Sequence, residues 1–166
     1  LFSIIPDFDL DLMTAGQELA ELSANILNKI TPVLRDVSPD LVLVHGDTTT
    51  TLMASLAAFY CGFEVGHVEA GLRTGNLKAP WPEEANRRLV STLTNMHFAP
   101  TELAKKNLTL EGVEESKIFV TGNTVVDALL LALEKIESSP SIREALESRF
   151  SMLSENRKIV LITGHR

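Results

Sequence analysis

Short apolar runs alternate along this chain with longer amphipathic ones, and this alternation restricts its possible folds more than any other feature. Four apolar runs have the length of a buried strand. The first begins at Leu41, and the others lie at 64–68, 96–99 and 117–121. Helices are predicted at 14–37, 48–59, 82–93, 101–111 and 124–136, where apolar residues recur at spacings of three and four. Strands that alternate with helices indicate βαβ units, so we expect an α/β fold with a parallel sheet.

A polar break at 137–141 divides the chain and is the best candidate for a linker. We therefore expect a first domain over 1–137, a linker with a bridging helix over 138–157, and the first strand of a second domain over 158–166. The chain has no initiating methionine and ends just after an apolar run. We expect a segment of a longer protein, incomplete at both ends.

Charge and cysteine content exclude several classes of function. The 15 Lys and Arg residues against 22 Asp and Glu give a formal charge of −7, which argues against a nucleic-acid-binding protein. The single cysteine, Cys61, excludes an internal disulfide and a CxxC centre. No apolar run reaches the roughly 18–20 residues of a membrane span, and the N-terminus lacks a basic region of a signal peptide. We expect a cytoplasmic protein without membrane insertion.

Polar and ionisable residues follow four of the predicted strands, at 45–48, 67–73, 121–124 and 164–166. In open parallel sheets, ligands bind beyond the carboxyl ends of the strands. The sequence therefore places a ligand site at this edge of the sheet.

Each candidate residue at that edge has a structural interpretation as well as a functional one. Asp47 could cap the helix that starts at Thr48, or face a ligand beside the helix N-terminus. Glu69 directly follows a buried strand, so it could pair with Arg73 or act as a general base.

Two further candidates lie outside those two turns. Glu83 and Arg87 are four residues apart on a predicted helix. They could form an ordinary surface ion pair, or they could belong to a substrate site. His165 lies at the end of the first strand after the linker, from where it could reach across a cleft.

Five motifs together resemble one family, the non-hydrolysing UDP-N-acetylglucosamine 2-epimerases. They are HGDTTTT at 45–51, GHVEAGLRT at 66–74, WPEEANR at 81–87, TGNT at 121–124 and TGHR at 163–166. The resemblance covers nearly the whole chain in order. It implies a Rossmann-like domain of a two-domain fold like that of the GT-B glycosyltransferases, without the opening strand and most of the second domain.

The resemblance also implies a reaction and its residues. The family interconverts UDP-GlcNAc and UDP-ManNAc by inversion at C2, through elimination of UDP and its re-addition, without a metal or other cofactor, and supplies ManNAc for cell-surface polysaccharide. The implied catalytic residues are Asp47, Glu69, Glu83, Arg87 and His165. The implied substrate-binding residues are Asp47, Glu69, Arg73, His165 and Arg166. The partners are the nucleotide sugars, UDP and a second copy of the chain, with residues 14–37 and 101–111 as candidate dimer surfaces.

Two alternatives stay open at this point. A metal-dependent hydrolase could use His45, Asp47, His67 and Glu69, although their spacing matches no common zinc motif. A non-catalytic fragment that serves binding or assembly is the other.

Overall fold

The computed structural model describes residues 4–153 and 158–163. Its sheet has four parallel strands in the order β1-β2-β3-β4, which confirms the expected α/β fold with a parallel sheet. The strands are β1 (Leu41–His45), β2 (Glu64–Val68), β3 (Met96–Ala99) and β4 (Ile118–Val120). The helices are α1 (Leu19–Val37), α2 (Thr49–Cys61), α3 (Glu83–Leu93), α4 (Glu102–Leu110), α5 (Thr124–Ser138) and α6 (Pro140–Arg149), with a 3-10 turn at Glu115–Lys117.

The helices of the sheet domain pack on one face of the sheet. Side chains alternate along a strand, and in β1 the buried member is Val44 while Leu43 is exposed. Val44 packs in a core with Leu34 of α1, Ala57 of α2 and Val90 of α3. A second core joins Ala99 and Ile118 of the sheet to Ala104 and Leu108 of α4. These two cores hold α1 to α4 against the sheet.

Most predicted elements form within one or two residues of their predicted bounds. The main difference in a helix is at α1, which begins at Leu19 instead of residue 14. Gly16 adopts φ +72°, a left-handed conformation that a right-handed helix cannot contain. Of the strand predicted over 158–166, the described residues 158–163 have no regular secondary structure and are exposed. A strand requires hydrogen bonds to a neighbouring strand, and within the described residues this segment is paired with no strand.

The chain divides into two compact units after Thr124. The first unit contains the sheet and α1 to α4. The second contains α5 and α6, and neither helix has a buried residue. The domain boundary predicted at residue 137 remains a prediction about the whole protein. No helix among the described residues is both long and apolar enough to cross a membrane.

Candidate active site

The turn from β1 to α2 is held by backbone contacts to β2. Gly46 has φ +75°, a conformation that favours glycine, and its N–H donates to the carbonyl of Val68 at 3.0 Å. The buried His67 ring donates from Nε2 to the Gly46 carbonyl at 2.7 Å. Burial lowers the pKa of His67 below 6.5, so the ring is neutral at neutral pH. Two adjacent strands thus hold the turn that carries Asp47.

Thr48, and not Asp47, caps α2. Its Oγ1 accepts from the N–H of Thr51 at 3.3 Å, and the Thr51 hydroxyl donates to the His45 carbonyl at 2.6 Å. The N-cap of α2 is Thr48, so the capping interpretation of Asp47 was wrong. Its carboxylate is available for other contacts.

Asp47 contacts α3 instead. Its Oδ2 accepts from Nη2 of Arg87 at 2.5 Å, and its backbone carbonyl accepts from Nδ2 of Asn86 at 2.8 Å. Arg87 reaches Asp47 and Glu84, so the surface ion pair expected between Glu83 and Arg87 is not the pairing found. The structure brings Asp47 and Arg87 together although they lie 40 residues apart.

Two residues of this cluster were missed from the sequence. Asn86 is almost fully buried, and Glu84 is fully buried with its carboxylate turned toward residues 74–75. The sequence did contain one indication of the role of Glu84. Arg87 and Arg88 follow it by three and four residues, the spacing at which side chains meet on one face of a helix. Spacing could not show which of two adjacent glutamates faces inward, because the packing of α3 sets its rotation.

Glu69 sits in a strained turn directly after β2. Its φ is +69°, which is rare for a residue other than glycine, asparagine or aspartate. Strain of this kind concentrates at functional sites. Its Oε2 lies 3.8 Å from Nε2 of His45, and a Cβ on Gly46 would lie 3.5 Å from the same oxygen. Glu69 therefore lies against the turn that carries Asp47.

The expected pairing of Glu69 with Arg73 is not formed. The Arg73 guanidinium binds both carboxylate oxygens of Glu111, at 2.8 and 2.7 Å, and donates to the Ser91 hydroxyl at 2.7 Å. A further bond reaches the Leu72 carbonyl at 2.8 Å. These contacts join the segment after β2 to α3 and α4, and they do not favour the predicted direct contact between Arg73 and a substrate.

Glu83 is the first residue of α3 and lines a cavity of about 280 Å³. Its Oε2 is buried, and among the described residues no hydrogen-bond partner reaches it. The cavity is lined by Met13, Leu19, Leu22, Thr48, Thr49, Thr50, Pro82, Glu83 and Asn86. Glu83 and Asn86 thus share a cavity with the start of α2, next to Asp47.

Within residues 4–153 and 158–163, no three His, Cys, Asp or Glu side chains converge as ligands for a metal ion. His45, Asp47, His67 and Glu69, the grouping that a metal-dependent hydrolase would need, do not converge in this way. His165 and Arg166, predicted as site residues, lie outside the described residues.

The whole chain, residues 1–166, matches the family model described as UDP-N-acetylglucosamine 2-epimerase. It is 55% identical over 166 residues to the UDP-N-acetylglucosamine 2-epimerase of Yersinia pestis and 54% identical to that of Escherichia coli K12. Each match covers 100% of this chain and 44% of the relative. The chain therefore spans less than half the length of these curated relatives.

Solved structures agree with the sequence matches. A Neisseria meningitidis UDP-GlcNAc 2-epimerase bound to UDP-GlcNAc superposes with a TM-score of 0.94 at 55% identity, over 98% of this chain and 44% of that one. A Methanocaldococcus jannaschii UDP-GlcNAc 2-epimerase, in complex with UDP-GlcNAc and UDP, superposes with a TM-score of 0.81 at 41% identity. That match covers 87% of this chain and 39% of the other.

Proposed function

Since this chain belongs to the UDP-N-acetylglucosamine 2-epimerase family, we propose that the full-length protein interconverts UDP-GlcNAc and UDP-ManNAc. The observation that carries the proposal is the grouping of carboxylates at one sheet edge. Asp47 and Glu69 flank the Gly46 turn, and Glu83 lines the adjoining cavity. The relatives from Neisseria and Methanocaldococcus bind UDP-GlcNAc.

The proposed reaction inverts C2 in two stages. A carboxylate removes the C2 proton while the bond from C1 to the UDP oxygen breaks, which leaves 2-acetamidoglucal and UDP. A proton then adds to C2 from the other face, and the UDP oxygen bonds again to C1. Proton removal on one face and delivery on the other require acid/base groups on both sides of the sugar.

The residues of this edge suit those roles. We assign Asp47, Glu69 and Glu83 as the acid/base carboxylates. Arg87 binds Asp47 and, on the family motif, is assigned a place near the substrate and its phosphates. His165 and Arg166 are assigned to the substrate and its phosphates on the family motif that they share. Arg73 is assigned a supporting role, because Glu111 and Ser91 bind its guanidinium.

The test is solvent exchange at C2. Full-length protein is incubated with UDP-GlcNAc in deuterated water and the C2 signal is followed by NMR. We expect deuterium at C2 together with UDP-ManNAc. General acid–base groups contribute about 10²–10⁴-fold, so Glu69→Gln and Asp47→Asn should each lose at least about 100-fold of the exchange rate.

Glu64→Gln is the matched control, because Glu64 is an exposed carboxylate at the opposite end of the same strand. It should exchange at the parent rate. Parent protein that leaves C2 unlabelled would exclude the proposed function.

We further propose that the protein acts as a cytoplasmic homodimer and supplies ManNAc units for cell-surface polysaccharide. Leu103 and Leu110 of α4 are 68% and 76% exposed, which supports α4 as part of an interface. Sedimentation of the full-length protein tests the dimer, and a monomer at high concentration would contradict it.

A further inference from the structure

Glu84 is a fully buried carboxylate that lies one residue after the proposed catalytic Glu83. A buried charge is costly unless other groups pair with it. Here Oε2 accepts from the Thr74 N–H at 3.0 Å and Oε1 from the Gly75 N–H at 3.2 Å. Nη1 of Arg87 lies 3.4 Å from Oε2.

These bonds keep the carboxylate ionised. Burial alone would raise the pKa of Glu84, but the Thr74 and Gly75 amides and the Arg87 guanidinium outweigh burial and hold the pKa below its ordinary value. Glu84 therefore places a negative charge inside the domain, in the first turn of α3.

Arg87 connects that charge to the site. One end of its guanidinium, Nη1, faces Glu84, and the other, Nη2, binds Asp47 Oδ2 at 2.5 Å. The guanidinium is planar and its donors are fixed relative to one another. The position of the Glu84 carboxylate thus sets the position from which Arg87 holds Asp47.

Glu84 also ties down the segment that leads into α3. Its bonds to Thr74 and Gly75 join the loop after β2 to the first turn of the helix. The Thr74 hydroxyl in turn donates to the Ala79 carbonyl at 2.7 Å. Glu84 is therefore one anchor of the chain between the two proposed carboxylates Glu69 and Glu83, beside the contacts that Gly71 and Arg73 make with α4 and its end.

We propose that Glu84 is a positioning residue of the epimerase, which acts through Arg87 to hold Asp47 and through residues 74–75 to place Glu83. The inference rests on the proposed function for its kinetic consequences only. It assigns a role to Glu84, which neither contacts solvent nor lines the cavity, whereas the neighbouring Glu83 does line it.

The kinetic test is a double-mutant cycle in the full-length protein with Glu84→Gln, Arg87→Lys and the pair. We expect Glu84→Gln to lower kcat about 10- to 100-fold, the loss that misplacement of a catalytic group produces, with KM nearly unchanged. In the Arg87→Lys background the same change should cost at least about threefold less than in the parent, because the route to Asp47 is already weakened and only the route through residues 74–75 remains. Equal losses in both backgrounds would overturn the proposal.

Glu111→Gln is the matched control, since Glu111 is also a carboxylate that binds an arginine, but its partner is Arg73. Its effect on kcat should be the same with and without Arg87→Lys. A coupling to Arg87 as large as that of Glu84 would show general destabilisation and would also overturn the proposal. Glu84→Asp, which keeps the charge, replaces Glu84→Gln in the cycle if the latter does not fold.

A second readout needs no activity and separates this inference from the proposed function. In the full-length protein, NMR signals of the Arg87 guanidinium N–H groups should exchange slowly with water while Glu84 and Asp47 hold them. Glu84→Gln should speed that exchange, and Glu111→Gln should not. Unchanged exchange in Glu84→Gln would refute the positioning role even in an active enzyme, whereas faster exchange in a protein without epimerase activity would refute only the proposed function.

Discussion

At the scale of single residues, two buried histidines lie side by side beneath the site. His67 of β2 is in register with His97 of β3, and the two residues are 0% and 1% exposed. Burial, reinforced by His67 and Arg73, lowers the pKa of His97 from 6.5 to about 4. The folded protein therefore keeps both rings neutral at a pH where the unfolded chain is protonated.

This difference makes stability depend on pH. Because the folded pKa of His97 is lower than the unfolded value, the stabilisation is complete above about pH 6.5 and is lost as the pH falls toward about 4. We expect His97 alone to remove about 2 kcal/mol from the free energy of unfolding between about pH 7 and pH 5. Urea titrations at both pH values measure it.

His97→Gln should flatten this dependence, and His45→Gln should not, because the His45 side chain is 62% exposed. A parent-like slope in His97→Gln would assign the pH dependence to other groups.

At the scale of elements, the segment after β2 is pressed against α4. Gly71 has φ +87°, and a Cβ there would clash with the backbone carbonyl of Ala104. The Gly71 carbonyl accepts from Nδ2 of Asn107 at 2.9 Å, and Arg73 binds Glu111 at the end of the same helix. These contacts fix the direction in which the chain leaves Glu69 and runs toward α3. Close packing at Gly71 therefore supports the proposed site.

Gly71→Ala should therefore be strongly destabilising. A left-handed conformation costs a residue with a Cβ about 1–2 kcal/mol, and overpacking adds about 1–3 kcal/mol. Gly112→Ala is the control, because Gly112 has φ +89° but open space around it. Thermal or urea unfolding should show a clearly larger loss for Gly71→Ala, and equal losses would contradict the close approach.

At the scale of the whole molecule, the proposed site draws on three separate segments of one unit. The β1–α2 turn carries Asp47, the end of β2 carries Glu69, and α3 carries Glu83 and Arg87. The described unit therefore holds the proposed acid/base groups, while the chain spans 44% of its Yersinia relative. In the two-domain fold that the family resemblance implies, most of the UDP site belongs to the second domain.

We expect the 166-residue chain alone not to epimerise UDP-GlcNAc. Without the nucleotide site the sugar is not positioned, and positioning can supply about 7–11 kcal/mol of a reaction's barrier reduction. The measurement is deuterium incorporation at C2, with full-length protein in parallel. Incorporation by the short chain that Glu69→Gln abolishes would show that the prediction is wrong.

Hydrophobic spacing and short motifs were enough to predict the helices and strands, the parallel sheet and the family. Hydrophobic spacing is local, so β2 and β3 were predicted with their observed bounds at 64–68 and 96–99. The family resemblance drawn from the five motifs is confirmed by the match over residues 1–166. The sheet edge that should hold the site also followed from the sequence, since parallel strands place their carboxyl ends together.

Which side chains contact one another followed from the packing of the folded chain, and the sequence did not predict it. The pairs expected from nearness along the chain, Glu69 with Arg73 and Glu83 with Arg87, are replaced by contacts of Arg73 with Glu111 and of Arg87 with Asp47. Glu84 proved to be buried because the packing of α3 turns it inward. Such pairings depend on helix rotation and on the approach of distant segments, and a spacing rule carries no information about either.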